Sequence, residues 1–252
     1  MSTTHLSILT GASRGMGLAM AEQLLDAGHD LLCIARHPND VLAGRAQAQG
    51  RQLEQWAHDL GQAATVAAKL ETWLQARGES GLASVTLINN AGVLPRIAPL
   101  GEIAAEDVAQ ALRVDLEAPM LLTGAFLRAT AQWRCTRKVL NISSGLGRRA
   151  MASQAVYCAA KAGMDHFTRC VALEELKRPN GARICSLAPG VIETDMQVQL
   201  RGADPSLFPD IGDFRAMKER GMLSSPAEAA GRVLDFLGRK EFGAQPVADV
   251  RG

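Results

Sequence analysis

Aromatic side chains are scarce, at 4% of the chain, and a single tyrosine, Tyr157, occurs in 252 residues. No run of about 18 uncharged apolar residues exists, which argues against a membrane-spanning helix. Neither charge is in excess. Lys and Arg number 27 against 26 Asp and Glu, for a net charge of +1. Arg148-Arg149, Lys177-Arg178 and Arg239-Lys240 are scattered pairs rather than a basic face, which disfavours nucleic acid as a partner. The first residues, Met1-Ser2-Thr3-Thr4-His5, have neither the basic start nor the apolar run of a secretory leader. The five cysteines (Cys33, Cys135, Cys158, Cys170, Cys185) occur singly, without C-x-x-C or zinc spacing, so no metal site is expected. Unpaired thiols suit a reducing, cytoplasmic setting. Cys33 and His37 lie four apart, but Pro38 follows and no further ligand is near.

What is present is a core-forming chain, 47% apolar and 21% charged. Short apolar runs at Leu6–Thr10, Asp30–Ala35, Val85–Asn89, Lys138–Ser143 and Arg183–Ala188 read as strands buried on both faces. A weaker run lies at Gln52–His58. Between them fall helical patterns: Met16, Met20 and Leu24 at i, i+4 and i+8, closed by Gly28, then Gln62–Ala76, Glu106–Ala131, Ser153–Lys177 and Pro226–Leu237. Strands alternating with helices predict βαβ units and a parallel sheet flanked by helices. No repeat or linker interrupts the chain, so 1–252 reads as a single doubly wound, Rossmann-type α/β domain. The stretch 190–223, with Gly202, Asp204-Pro205, Pro209-Asp210 and Gly212-Asp213, shows little periodicity and reads as a lid over a site.

Thr10-Gly11-Ala12-Ser13-Arg14-Gly15-Met16-Gly17 joins the first strand to the first helix. Glycines let backbone amides approach a pyrophosphate, and the helix start offers unpaired N–H groups and its positive dipole end. The second strand ends Ala35-Arg36, where dinucleotide folds that bind the ribose 2′-hydroxyl carry an acid. Arg36 and Arg14 instead suit a 2′-phosphate, which predicts NADP(H) as the cofactor.

Tyr157 and Lys161 lie four apart and so share one helical face. Asn141-Ile142-Ser143-Ser144 ends a strand and sets the Ser144 hydroxyl at the carboxyl edge of the sheet, where ligands bind in open α/β folds. Hydride transfer to a carbonyl builds negative charge on oxygen and needs a proton donor there. A phenol titrates near pH ~10 and an adjacent ammonium lowers that value, so Lys161 is expected to acidify Tyr157 while Ser144 holds the carbonyl oxygen.

These motifs together resemble the short-chain dehydrogenase/reductase family over nearly the whole chain. Thr10–Gly17 looks like its T-G-x-x-x-G-x-G turn, Asn89-Asn90-Ala91-Gly92 like its N-N-A-G stretch, and Tyr157-x-x-x-Lys161 like its Y-x-x-x-K pair. Ser144 stands thirteen residues before the tyrosine, as the family serine does, and Pro189-Gly190 with Thr194 is similar to the later P-G motif. The resemblance implies catalytic roles for Ser144, Tyr157 and Lys161. It implies cofactor contacts from Gly11, Ser13, Arg14, Gly15, Met16 and Gly17 and from Arg36, Asp59 and Leu60. It implies further contacts from Asn90, Ala91 and Gly92 and from Pro189, Gly190, Val191, Ile192 and Thr194. The family's fourth catalytic residue is an asparagine. Asp115, within Leu112-Arg113-Val114-Asp115-Leu116, takes its place and is expected to pair with Lys161. The C-terminal Phe242–Val250 departs from the family's glycine-rich ending. Pro189–Gln197 and Leu223-Ser224-Ser225-Pro226 resemble the benzil reductase and sepiapterin reductase branch, which implies a small-molecule ketone or vicinal dicarbonyl as substrate. The family also implies a homodimer or homotetramer packed through 106–131 and 153–177.

The expectation is an NADPH-dependent carbonyl reductase. A 3-oxoacyl-carrier-protein reductase, for which Arg148-Arg149 hints at a basic patch, and an alcohol dehydrogenase remain open. So does a non-catalytic protein that senses NADP(H).

Overall fold

A computed structural model describes residues 4–251; positions 1–3, where a leader would begin, lie outside the described residues. Seven parallel strands form one sheet in the order β3-β2-β1-β4-β5-β6-β7. They are β1 Thr4–Thr10, β2 Asp30–Ala35, β3 Leu53–Ala57, β4 Leu82–Asn89, β5 Thr136–Ile142, β6 Arg183–Ala188 and β7 Val247–Asp249. Nine α-helices are described: α1 Gly15–Asp26, α2 Asp40–Ala48, α3 Ala63–Arg77, α4 Ala105–Leu112, α5 Ala118–Ala129, α6 Ala155–Glu175, α7 Asp195–Arg201, α8 Ile211–Glu219 and α9 Pro226–Gly238. The sheet is apolar on both faces. Met20, Leu24, Leu25, Ala229 and Val233 of α1 and α9 cover one, and Leu70, Leu74, Leu122 and Phe126 of α3 and α5 cover the other.

The parallel sheet predicted from the alternating pattern is present, and the weak run at 52–58 forms β3. Four features differ from the sequence reading or add to it. First, the helix expected over 106–131 is interrupted by a wide π-helical turn at Arg113–Glu117, where the Ala118 amide reaches back five residues to the Arg113 carbonyl. Pro119 has no N–H to give the Asp115 carbonyl, so regular winding cannot pass this point. Second, the aperiodic 190–223 stretch contains α7 and α8. Third, α2 escaped the periodicity because only Leu42 and Ala46 are buried; Asn39 starts it by accepting the Leu42 amide at 2.9 Å. Fourth, the C-terminal segment still supplies a last parallel strand beside β6, despite its unusual sequence.

Two termini match their sequence signals closely. Gly28, at φ +86°, follows α1 and sends its amide back to the Leu25 carbonyl. Ser225 and Glu228 cap the start of α9 reciprocally.

Candidate active site

The strand order reverses between β1 and β4, and a cavity of about 890 Å³ opens at the carboxyl ends of β1, β4, β5 and β6. Twenty of the residues singled out in the sequence line it. They are Gly11, Ser13, Arg14, Gly15, Met16, Gly17, Arg36, Asp59, Leu60, Asn90, Ala91, Gly92, Ser144, Tyr157, Lys161, Pro189, Gly190, Val191, Ile192 and Thr194. Asp115 is not among them.

The first turn is shaped by close backbone approach. Gly11 has φ +71°, and a Cβ there would sit 2.9 Å from the Ala91 Cα; one on Gly17 would sit 2.1 Å from the Gly11 carbonyl oxygen. Asn90 locks the arrangement. Its Nδ2 donates to the Thr10 and Gly11 carbonyls at 3.0 and 3.3 Å, while the Asn90 and Ala91 amides donate to the Thr10 hydroxyl at 2.9 and 3.0 Å. No side chain caps α1 and no acid lies in its first turn, so its positive end faces the cavity uncompensated. The bare turn, positive helix end and adjacent strand ends fit a dinucleotide pyrophosphate.

The flanking groups are less uniform. Arg36 is exposed and has no carboxylate partner among the described residues. Arg14 pairs with Asp195 at the start of α7 rather than standing free beside Arg36. Asp59 accepts the Gly61 amide at 2.8 Å and so fixes the turn that carries Leu60.

Ser144 follows β5, and Tyr157 and Lys161 project from the first turns of α6. Tyr157 is 7% exposed and Lys161 3%. The Lys161 Nζ donates to the Ile142 carbonyl at 3.0 Å and lies 5.6 Å from the Tyr157 ring centre. Burial raises the phenol's pKa well above its ordinary value, the Asp115 charge adds to the rise, and the Ser144 hydroxyl opposes it. The Lys161 ammonium is not among the groups that set this direction. Burial also lowers the lysine's own pKa, against the pull of Asp115 and Asp165.

Asp115 also departs from expectation. It is fully buried in the π-helical turn; its Oδ1 accepts the Val93 amide at 2.8 Å, and its Oδ2 has no partner among the described residues. It forms no ion pair with Lys161. Both lie close to Gly92, where a Cβ would lie 3.4 Å from Asp115 Oδ1 and 3.7 Å from Lys161 Nζ. Burial raises the carboxyl's pKa, against the lysine charge and the Val93 amide.

An ion pair between a partly exposed arginine and a buried aspartate supports the Ser144 loop. Arg148 Nε donates to Asp165 Oδ2 at 3.0 Å, Ser186 donates to Asp165 Oδ1 at 2.6 Å, and Arg148 also reaches the Ala248 carbonyl at 2.8 Å. This inward turn removes Arg148 from the basic patch suggested by Arg148-Arg149; only Arg149 of the two lines the cavity.

The 190–223 segment closes the far side. Its feet are joined where Ser224 and Glu193 amides bond the Val191 and Ser224 carbonyls at 3.0 and 2.9 Å. Leu200, Phe208, Ile211 and Phe214 form a small separate cluster against Leu94 and Met151. The sequence reading gave 190–223 only as a lid and named none of Leu94, Met151, Gln154, Phe214 and Met217, which all line the cavity. They belong to no short motif, and only the fold brings them together.

The family model described as short chain dehydrogenase matches residues 6–204. A benzil reductase ((S)-benzoin forming) of Bacillus cereus is 34% identical over 235 residues, 93% of this chain and 94% of the relative. A sepiapterin reductase of Xenopus laevis is 32% identical over 92% of this chain and 90% of its own length. The crystal structure of a short-chain dehydrogenase/reductase from Burkholderia vietnamiensis superposes with a TM-score of 0.67 at 35% identity, covering 100% of this chain and 99% of that one. The glycine turn, the Asn90 clamp and the Tyr157–Lys161 helix thus sit within a match that runs end to end, and the chain belongs to the short chain dehydrogenase family of oxidoreductases.

Proposed function

We propose that this protein is an NADPH-dependent carbonyl reductase that converts a ketone or vicinal dicarbonyl to an alcohol, with Tyr157 as general acid. The observation that carries the reading is the meeting of Ser144, Tyr157 and Lys161 on the wall of one cavity whose other end is a bare glycine turn. The reduced nicotinamide, when bound, supplies the hydride. The backbone of Gly11–Gly17 and the start of α1 hold the pyrophosphate. Arg36 meets the 2′-phosphate; Asp59, Leu60, Asn90, Ala91 and Gly92 bound the adenosine; Pro189, Gly190, Val191, Ile192 and Thr194 face the nicotinamide.

Ser144 donates to the substrate carbonyl oxygen and orients it. Tyr157 keeps its proton through the neutral range, because burial holds its pKa high, and gives that proton to the oxygen as negative charge builds there. A protonated phenol favours reduction over the reverse reaction. Lys161, anchored on the Ile142 carbonyl, binds the nicotinamide ribose. Asp115 acts behind Gly92 through its charge. The 190–223 segment serves as the lid over an apolar substrate chamber. The names of the benzil and sepiapterin reductase relatives support dicarbonyls and related ketones as substrates. Exposed Met120 on α5 and Leu173 and Leu176 at the end of α6 support a homo-oligomer built through those helices.

Following NADPH oxidation with diketones, monoketones, aldehydes and 3-oxoacyl thioesters tests the proposal. Turnover is expected with diketones first. Tight NADPH binding without turnover of any carbonyl would replace the reductase with a sensor of the cofactor.

A further inference from the structure

One carboxamide in the apolar half of the cavity has no partner. Gln154 is 1% exposed and lines the cavity, yet its Oε1 accepts no hydrogen bond from any described residue. The same cavity is also lined by the apolar Leu94, Leu146, Met151, Phe214 and Met217. Buried polar atoms are almost always paired, so an orphan on a chamber wall marks a place for a ligand's polar group.

The backbone ahead of Gln154 is built to hold it there. Ser153 is the one non-glycine residue with a positive φ, +60°, among those described. Such a conformation persists only where its surroundings fix it. Here the Ser153 hydroxyl donates to the Leu207 carbonyl at 2.5 Å and ties the turn to the 190–223 segment. Gln154 then immediately precedes α6, three residues before Tyr157 in the chain. Gln197 is a second orphaned amide on this cavity, but it rides on α7, whose support is the small cluster around Phe208.

We propose that Gln154 is a specificity-determining residue that holds a second oxygen of the substrate, on the carbon next to the reacting carbonyl; this rests on the reductase reading above. A carboxamide turned one way donates N–H to a ketone oxygen, and turned the other way accepts from a hydroxyl. Gln154 can therefore hold both a vicinal dicarbonyl and the hydroxyketone left after one reduction. Ser144 and Tyr157 take the first oxygen, and the apolar wall takes the flanking groups.

Benzil and deoxybenzoin share a carbon skeleton and differ in the second carbonyl, so their kcat/KM ratio with NADPH reads this contact. The wild-type enzyme is expected to prefer benzil, and Gln154→Met to lower the ratio about tenfold or more. Gln154→Asn, which keeps the amide but withdraws it by one methylene, is expected to fall between. NADPH binding, followed by nucleotide fluorescence, is expected to be unchanged in both variants. An unaltered ratio in Gln154→Met overturns the proposal whatever the absolute loss of rate. Loss of NADPH binding in both variants also overturns it, since Gln154 would then be structural. A wild-type enzyme that reduces both ketones equally well overturns the proposal and leaves the reductase reading standing. One that binds NADPH and reduces neither overturns both.

Discussion

The two walls of the cavity are held by different forces. On the sheet side, the glycine turn is fixed by the Asn90 clamp, Lys161 by the Ile142 carbonyl, and the Ser144 loop by the Arg148–Asp165–Ser186 contacts. A buried polar chain runs behind them, from Thr123 through Asn89 and Asn141 to Thr168. On the 190–223 side, four apolar side chains, the backbone bonds at its feet, the Ser153–Leu207 bond and surface ion pairs such as the exposed Arg14–Asp195 provide the hold. Exposed pairs each contribute about 0–1 kcal/mol. The contrast places the proposed chemistry on the rigid wall and substrate access on the yielding one.

The largest effect should come from the rigid wall. Tyr157→Phe removes the proposed proton donor and little else, so turnover should fall about 100- to 10,000-fold with NADPH binding retained. A variant that keeps wild-type kcat would move the proton donor elsewhere.

The contrast itself is sharpened by two phenylalanines, both fully buried. Phe126 lies in the main core and Phe208 in the small cluster of the 190–223 segment. Phe126→Ala should cost about 3–5 kcal/mol, or roughly 6–20 °C in melting temperature. Phe208→Ala removes the same side chain but should free mainly its own segment. We expect at most half that fall in melting temperature, faster amide exchange confined to α7 and α8, and a raised KM. Equal melting losses would show that the two walls unfold as one unit.

Next comes the rim of the cavity. Arg36 stands exposed at the end of β2 without a carboxylate partner, while Arg14 is engaged with Asp195. Arg36→Asp should therefore carry the cofactor preference alone and lower the NADPH-over-NADH ratio of kcat/KM about 10- to 100-fold, the worth of a hydrogen bond to a charged group. If the ratio holds until Arg14 is also replaced, Arg14 leaves Asp195 when the nucleotide binds.

How far each wall could be read from the sequence follows the same division. The sheet side is made of local patterns: an apolar run, a glycine turn, a hydroxyl at a strand end, two side chains one helical turn apart. Each lies within about a dozen residues, and Gly11 and Asn90 meet because strands β1 and β4 must pair. The 190–223 side is assembled at long range. Its helices α7 and α8 bury only Gln197, Leu200, Ile211 and Phe214 between them, too few positions to set a period. The orphaned amide of Gln154 could not be read at all, since a lone glutamine beside a helix start is ordinary until its surroundings are known. The broken helix at Arg113–Glu117 was signalled by Pro119, but a proline in the first turn of a helix is just as ordinary.

Asp115 sits behind the rigid wall, outside the cavity lining, and the smallest prediction concerns it. Its carboxyl is fully buried with one oxygen unpartnered, and burial raises its pKa. The unfolded chain, in which an aspartate titrates near pH ~3.9, releases this proton first as pH rises. Above that value the native state binds more protons than the unfolded state, so stability falls with rising pH until the folded carboxyl has also ionised. At neutral pH the wild type bears this penalty; at the acid end both states are protonated and it disappears. Asp115→Asn should therefore melt higher than wild type at neutral pH and converge with it on acidification. The same charge raises the Tyr157 pKa, so removing it should move the alkaline limb of the reduction rate to lower pH, since reduction needs the protonated phenol. A melting difference that persists unchanged into acid would assign the effect to packing. An unmoved alkaline limb would uncouple Asp115 from Tyr157 and leave the phenol's acidity to burial and Ser144 alone.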